Sequence, residues 1–287
     1  MFPAVDTRDA SAVALYLRSI QRELHPESDG KFLERLLQEV TAMFAGRFGD
    51  FLPIDLGYHD FQHTLQATCC MAEILAGRHA AGAAPVLNAR RFELGIAAVL
   101  LHDTGYLKTR SDRSGTGAKY TYTHVLRSCA VAASYLPTLG VSLAELDTVL
   151  GAIRCTGPAS NLGRIHFHDE IEKLTGCCLA TADYLAQMAA SDYPDELPIL
   201  YREFEESDDF LNVPRSKRVF QSADDLVRKT PAFWRKLVEP KLREDFLGVH
   251  RFLARPYPDG PNPYLIAVER NIAIITERAR APAAAAP

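Results

Sequence analysis

The residues most suggestive of chemistry are an adjacent histidine and aspartate, His102 and Asp103, which end the apolar segment FELGIAAVLLHD. Burying an imidazole and a carboxylate next to Val99, Leu100 and Leu101 is unfavourable unless each polar group has a partner. A divalent cation would be a partner for both side chains at once. The alternative is a core histidine hydrogen-bonded to a neighbouring aspartate, and the dipeptide alone does not decide between the two.

Two other segments carry residues of the same chemical types. The segment YHDFQH holds His59 and His63 four residues apart, which places both on one face if the segment is helical. Asp183 is the lone carboxylate of the apolar stretch CLATADYLA. An unpaired acid there would be destabilising, so Asp183 needs either a cation or a hydrogen bond from a nearby tyrosine or threonine.

This order of residues, a histidine, then His-Asp, then a distant aspartate on successive helices, resembles the HD superfamily of metal-dependent phosphohydrolases. The segment YHDFQH is similar to the Tyr-His-Asn-x-x-His opening of class I cyclic-nucleotide phosphodiesterases, and the resemblance covers residues 58–188. This chain has Asp60 where that group has asparagine, so specificity for cyclic nucleotides does not follow.

The resemblance implies a role for each matching residue. The implied metal ligands are His63, His102, Asp103 and Asp183. His59 matches the position that protonates the leaving alkoxide, and Asp103 is expected to orient the nucleophile or bridge a second ion.

The expected metal is a divalent transition ion. Mixed histidine and carboxylate ligands suit Mn, Fe, Co, Ni or Zn, with Mg as a candidate second ion. Such an ion can activate water near neutral pH. His124 matches the first additional histidine of dinuclear HD proteins and is a further candidate ligand. The next histidine of those proteins is missing, since the comparable helix end reads IRCT at residues 153–156.

Phosphate recognition needs cationic side chains close to the metal. Lys108 and Arg110 follow the HD pair at the start of a polar loop, and they are the candidate phosphate-binding residues. A solvated surface charge is the alternative for either one.

Helical periodicity dominates the sequence, and alternating strand patterns are absent, which predicts an all-α fold. The resemblance implies that this fold is a helical bundle of the HD type. Helices are expected over residues 11–24, 31–44, 61–75, 90–102, 124–136, 143–153 and 168–190. Ser142 and Glu145 predict a capping box at the sixth of these helices.

The chain divides into four predicted parts. Residues 1–50 form N-terminal helices that pack on a metal-binding core at 51–193. Prolines punctuate shorter helices in a C-terminal extension at 194–278, and residues 279–287 are Ala/Pro-rich and expected to be disordered.

The charge and composition of the chain limit which classes of binding partner are expected. The formal net charge of −4 gives no reason to expect nucleic acid. The polar start MFPAVDTRDA lacks the apolar region of a signal peptide, and the longest apolar run near the middle is too short to cross a bilayer, which predicts a cytoplasmic protein without a membrane partner. The six cysteines show no zinc spacing and are expected to be reduced and buried. Whether copies associate as a homo-oligomer stays open.

The expected function is hydrolysis of a small phosphomonoester or phosphodiester, such as a nucleotide, by metal-activated water. Two alternatives remain: an HD-type di-iron oxygenase, and a catalytically silent module that senses nucleotides. The intact ligand set favours turnover, and the missing second histidine favours hydrolysis over oxygen chemistry.

Overall fold

The fold is described by a computed structural model that covers residues 4–280. Within that range the chain is all-helical, as predicted, and its only extended pairings are two isolated bridges, Ala45 to Pro53 and Phe51 to Thr109. The ten α-helices are α1 (Ala10–Leu24), α2 (Lys31–Phe44), α3 (Phe61–Ala80), α4 (Ala89–Leu101), α5 (His124–Tyr135), α6 (Leu143–Ile153), α7 (Glu170–Ala189), α8 (Tyr193–Phe210), α9 (Ala223–Phe233) and α10 (Pro263–Arg280).

Local sequence signals fix the helix ends. Asn88, Ser142 and Asp169 each accept a hydrogen bond from a backbone N–H of the first turn, the usual role of an N-cap. The predicted capping box is present, because the Glu145 carboxylate accepts from the Ser142 backbone N–H in return. The predicted helices 61–75 and 168–190 become α3 and α7, the first five residues longer at its C-terminal end than periodicity indicated.

α7 is the central helix and packs against α3, α4, α6 and α10. α4 is buried on all sides from Phe92 to Leu101, which explains why its sequence carries no polar residue between Glu93 and His102. One hydrophobic cluster extends from Val13 to Ile275, so the N-terminal helices and the C-terminal extension pack on the same core.

Between α8 and α10 the chain makes shorter elements, including π-helical turns at Trp234–Val238 and Lys241–Asp245. The prediction of shorter helices in the C-terminal extension is wrong for α8 and α10, which have 18 residues each. The prediction of a disordered tail falls mostly on residues 281–287, outside the described residues, while Ala279 and Arg280 end α10. None of the helices in residues 4–280 combines the length and the apolar character needed to cross a bilayer. The six cysteines are free and buried, as predicted.

Candidate metal centre

The HD pair lies where α4 ends. His102 is the C-cap residue of α4, and its Nδ1 lies 2.7 Å from the Val99 carbonyl oxygen. A carbonyl can only accept, so Nδ1 carries the hydrogen and Nε2 is left with its lone pair free, the form in which imidazole binds a metal. Asp103 follows as the chain turns into the short 3₁₀ helix Thr104–Tyr106.

The first turn of α3 contributes His63. Asp60 is the N-cap of α3, and its carboxylate accepts from the His63 backbone N–H at 2.8 Å. Aspartate and asparagine cap helices about equally well. The departure from the phosphodiesterase pattern at Asp60 therefore keeps the cap that positions His63.

Asp183 lies in the middle of α7. Its Oδ1 lies 3.3 Å from the Gln187 amide nitrogen, and the Gln187 amide oxygen in turn accepts from the Tyr58 hydroxyl at 2.6 Å. Tyr58 precedes α3, so this chain of hydrogen bonds ties the Asp183 carboxylate to the segment that carries His63.

These elements bring the four predicted ligands together. His63 Nε2 lies 3.3 Å from both Asp103 Oδ2 and Asp183 Oδ1, while His102 Nε2 lies 3.3 Å from Asp103 Oδ2 and 3.6 Å from Asp183 Oδ1. The candidate ligand atoms of His63, His102 and Asp103 all lie within 4.8 Å of one another. A His-His-Asp cluster of this spacing could hold a metal ion, with Asp183 as a further donor at its edge.

Two of the converging atoms have no hydrogen bond at all. His102 Nε2 and Asp103 Oδ2 are completely buried and make no hydrogen bond to any described residue, although they face each other at 3.3 Å, in side chains that are only 1% and 3% exposed. Buried polar atoms without partners are rare in folded proteins because their desolvation is uncompensated. A cation between them satisfies both atoms together, so the donor set fits a divalent ion.

The charges of the cluster are strongly coupled. Burial favours the neutral form of His63, but the facing carboxylates Asp103 and Asp183 outweigh it and raise the pKa of His63 to about 10. Burial opposes ionisation of both aspartates as well, yet the neighbouring histidines hold their pKa values below the usual range. The two carboxylates are therefore ionised at neutral pH, as metal binding requires.

His124 lies on the other side of Asp103. Its Nδ1 faces the Thr121 carbonyl oxygen at 2.7 Å, and its Nε2 lies 3.7 Å from Asp103 Oδ1. Burial lowers the pKa of His124, which keeps the ring neutral. Asp103 thus presents one oxygen to the main cluster and the other to His124.

A tyrosine ring fixes the spacing of two of these histidines. Tyr106 stacks on His59 with centroids 4.6 Å apart and on His124 at 4.5 Å, with interplanar angles of 20° and 12°. Tyr106 is buried, and it is rigidly placed because it follows the HD pair by one turn.

His59 is held by a residue of the C-terminal extension. Its Nδ1 lies 2.5 Å from Oε2 of Glu203, on α8. The other carboxylate oxygen of Glu203 accepts from the backbone N–H groups of Tyr58 at 2.8 Å and His59 at 3.4 Å. The His59 ring lies 5.8 Å from the His63 ring and 6.3 Å from the His124 ring, centroid to centroid.

The two candidate phosphate-binding residues point elsewhere. Lys108 Nζ forms an ion pair with Asp55 at 2.9 Å and donates to the Gly115 carbonyl oxygen. The half-exposed guanidinium of Arg110 donates to the Gly46 carbonyl oxygen. Both cations are engaged in holding the loops around the site.

No sequence pattern indicated a role for Glu203, Gln187 or Tyr106. Glu203 lies 144 residues after His59 in the charged helix α8, where its sequence context is that of a solvated face. Its burial at 5% exposure distinguishes it only once the fold is known.

Comparison of the chain with protein-family models, with curated proteins and with solved structures found no match.

Proposed function

We propose that the protein is a metal-dependent phosphohydrolase of the HD superfamily. The observation that carries this proposal is the buried pair of candidate ligand atoms without a hydrogen bond, His102 Nε2 and Asp103 Oδ2, with His63 Nε2 3.3 Å from Asp103 Oδ2 and Asp183 Oδ1 3.6 Å from His102 Nε2. Without an ion, both atoms would stay desolvated and without a hydrogen bond, which is unfavourable. Their placement between α3, α4 and α7 matches the order of ligands that the sequence resemblance implies.

His63, His102, Asp103 and Asp183 would hold the principal ion. Mn, Fe, Co, Ni and Zn all suit this mixed nitrogen and oxygen donor set. When bound, the ion would supply Lewis-acid activation of water and neutralise charge on a phosphate ester. Asp103 and His124, whose Oδ1 and Nε2 lie 3.7 Å apart, would hold a second ion, for which Mg is a candidate.

His59 is the proposed proton donor to the leaving group. Its Nδ1 is fixed as a hydrogen-bond donor by the Glu203 carboxylate, and its plane is fixed by the Tyr106 ring. Both contacts limit rotation of the imidazole, which a positioned acid requires. Glu203 acts through His59 and is therefore a positioning residue.

The substrate is proposed to be a small phosphorylated molecule, such as a nucleotide. With Lys108 and Arg110 engaged elsewhere, the phosphate charge is left to the bound ion and to His59. This arrangement favours a compact ester group at the metal over a polyphosphate chain, which would need several free cations.

Turnover under defined metals tests the proposal. The purified protein is reconstituted anaerobically with Mn²⁺, Co²⁺, Ni²⁺, Zn²⁺ or Mg²⁺ and assayed with p-nitrophenyl phosphate, bis(p-nitrophenyl) phosphate and a nucleotide panel. We expect ester hydrolysis with at least one of these ions and without oxygen. Activity that appears only with iron and dioxygen would support the oxygenase. Nucleotide binding without turnover under any metal would support the sensing module.

A further inference from the structure

A second candidate site lies at the opposite end of α3. Arg78 is fifteen residues beyond His63 on this helix, a rise of roughly 22 Å at 1.5 Å per residue. It lines a cavity of about 150 Å³ together with the end of α1, the start of α4 and the segment 82–87. The cavity is separate from the candidate metal centre.

The walls of this cavity are mostly apolar, and the charged or titratable groups among its described lining residues are basic. The apolar walls include Leu24, Leu75, Leu87 and Phe92. Arg78, His25 and His79 also line it, and no acidic residue does. An apolar cavity with one convergent cationic group is the usual form of a site for a small organic anion.

Arg78 is buried without a carboxylate partner among the described residues. Arg78 is only 5% exposed. Its Nε atom is buried and has no hydrogen bond to a described residue. Its Nη2 donates to the carbonyl oxygens of Ala83 at 3.4 Å and Pro85 at 3.1 Å, which carry no net charge. Burial lowers the pKa of Arg78, the direction expected for a guanidinium that lacks a counter-ion.

Near Arg78 the surroundings add positive charge, while the Glu27 carboxylate lies 3.5 Å from His25 Nδ1 on another wall of the cavity. The Arg78 guanidinium lies 5.2 Å from the centre of the Phe252 ring, and the Arg251 guanidinium lies 4.5 Å from the same centre. The ring attracts each cation, but the two cations repel each other. A buried arginine is normally paired with an acid, so this environment lacks an anion.

We propose that this cavity binds a small carboxylate whose apolar body is about the size of a benzene ring, and that Arg78 recognises the carboxylate. A cavity of this volume can hold a benzene-sized molecule. Guanidinium groups favour carboxylates because their geometries match. The proposal is independent of the reaction at the metal centre.

Binding of benzoate to the full-length, metal-loaded protein tests the site, with benzamide as the neutral control of the same shape. Titration calorimetry should show benzoate binding at least about tenfold tighter than benzamide, the usual scale of a charge-assisted hydrogen bond. Equal affinity for the two compounds, or no benzoate binding at millimolar concentration, would overturn the proposal.

The Arg78→Met variant tests whether benzoate binds in this cavity. We expect it to lose the preference for benzoate while its melting temperature holds or rises, because a buried unpaired charge is replaced by an apolar chain. Retained preference would place the benzoate elsewhere, for example on the metal. A purely structural Arg78 would instead lower the melting temperature without a benzoate preference in the wild type.

Two variants of one surface residue, Val86, keep the test decisive if Arg78→Met does not fold. Val86 lines the cavity and is 72% exposed, so substitutions there are tolerated. Val86→Asp should weaken benzoate binding at low ionic strength by charge repulsion, whereas the matched Val86→Asn should not. Identical affinities for these two variants would count against a carboxylate in this cavity.

Discussion

Glu203 offers the most specific prediction about the candidate active site. Its Oε1 accepts from the backbone N–H groups of Tyr58 and His59, and its Oε2 faces His59 Nδ1 at 2.5 Å. In Glu203→Gln the amide oxygen must take the place of Oε1 and accept from the two backbone N–H groups. The amide NH₂ cannot lie there, because it is itself a donor and would face two other donors. The amide NH₂ then faces His59 Nδ1 and donates to it.

This substitution reverses the hydrogen bond at His59. Nδ1 becomes the acceptor, so the ring cannot carry the two protons that a donor to the leaving group needs. The expected loss in kcat therefore approaches that of removing the acid altogether, about 10²- to 10⁴-fold. The loss of one charge-assisted hydrogen bond alone, worth about 1–2 kcal/mol more than a neutral one, would give only about 5- to 30-fold.

The assay compares Glu203→Gln, His59→Asn and the double variant on bis(p-nitrophenyl) phosphate, with metal content measured in each sample. If Glu203 acts only through His59, the double variant should be no slower than His59→Asn. Glu206→Gln is the matched control, because it removes a carboxylate on the same helix that binds Thr116 instead of His59. Wild-type turnover in Glu203→Gln, or fully additive losses, would refute this role.

Three further outcomes follow from the geometry of the site. Tyr106→Leu removes two stacking contacts, each worth about 0.5–1.5 kcal/mol, and should lower kcat about 5- to 100-fold, while Tyr106→Phe keeps the stack and most of the activity in the same assay. Gly105→Ala should lower the free energy of unfolding in urea by about 1–3 kcal/mol, because a Cβ atom would lie 2.0 Å from the His124 carbonyl oxygen. The control Gly151→Ala, whose Cβ would lie 3.8 Å from its nearest neighbour, should be neutral or stabilising. Metal affinity, measured by competition with a chelating dye, should fall about tenfold for each unit that the pH is lowered from 8 to 6. The metal must displace the proton of His63, whose pKa is raised to about 10, so a pH-independent affinity would contradict that charge state.

Sequence periodicity predicted the helices well where an apolar face or a cap defines them. α4 and α6 begin within one residue of their predicted starts because Asn88 and Ser142 are strong N-caps. The end of α3 was predicted five residues early, since the Ala/Gly/His sequence at 76–80 carries no apolar pattern. The extended helix there creates the Arg78 cavity, which no pattern in the sequence indicates.

The candidate site was predictable where its residues interrupt apolar surroundings, and at His59 and His63, which lie four residues apart in the motif YHDFQH. His102, Asp103 and Asp183 stand out because they are polar residues in buried helices. Glu203 does not stand out, because α8 is rich in acidic residues and only tertiary packing buries this one. The positions of Lys108 and Arg110 depend on loop conformation, which sequence spacing does not specify.

Metal content is the most direct test of the central claim, that the buried His-His-Asp cluster holds a divalent ion. Elemental analysis after purification without chelators should find a stoichiometric transition metal in the wild type and almost none in Asp103→Ala. The exposed Asp147→Ala on α6 is the control and should retain the metal. Equal metal in wild type and Asp103→Ala, or no divalent ion bound by the wild type even after reconstitution, would contradict the account.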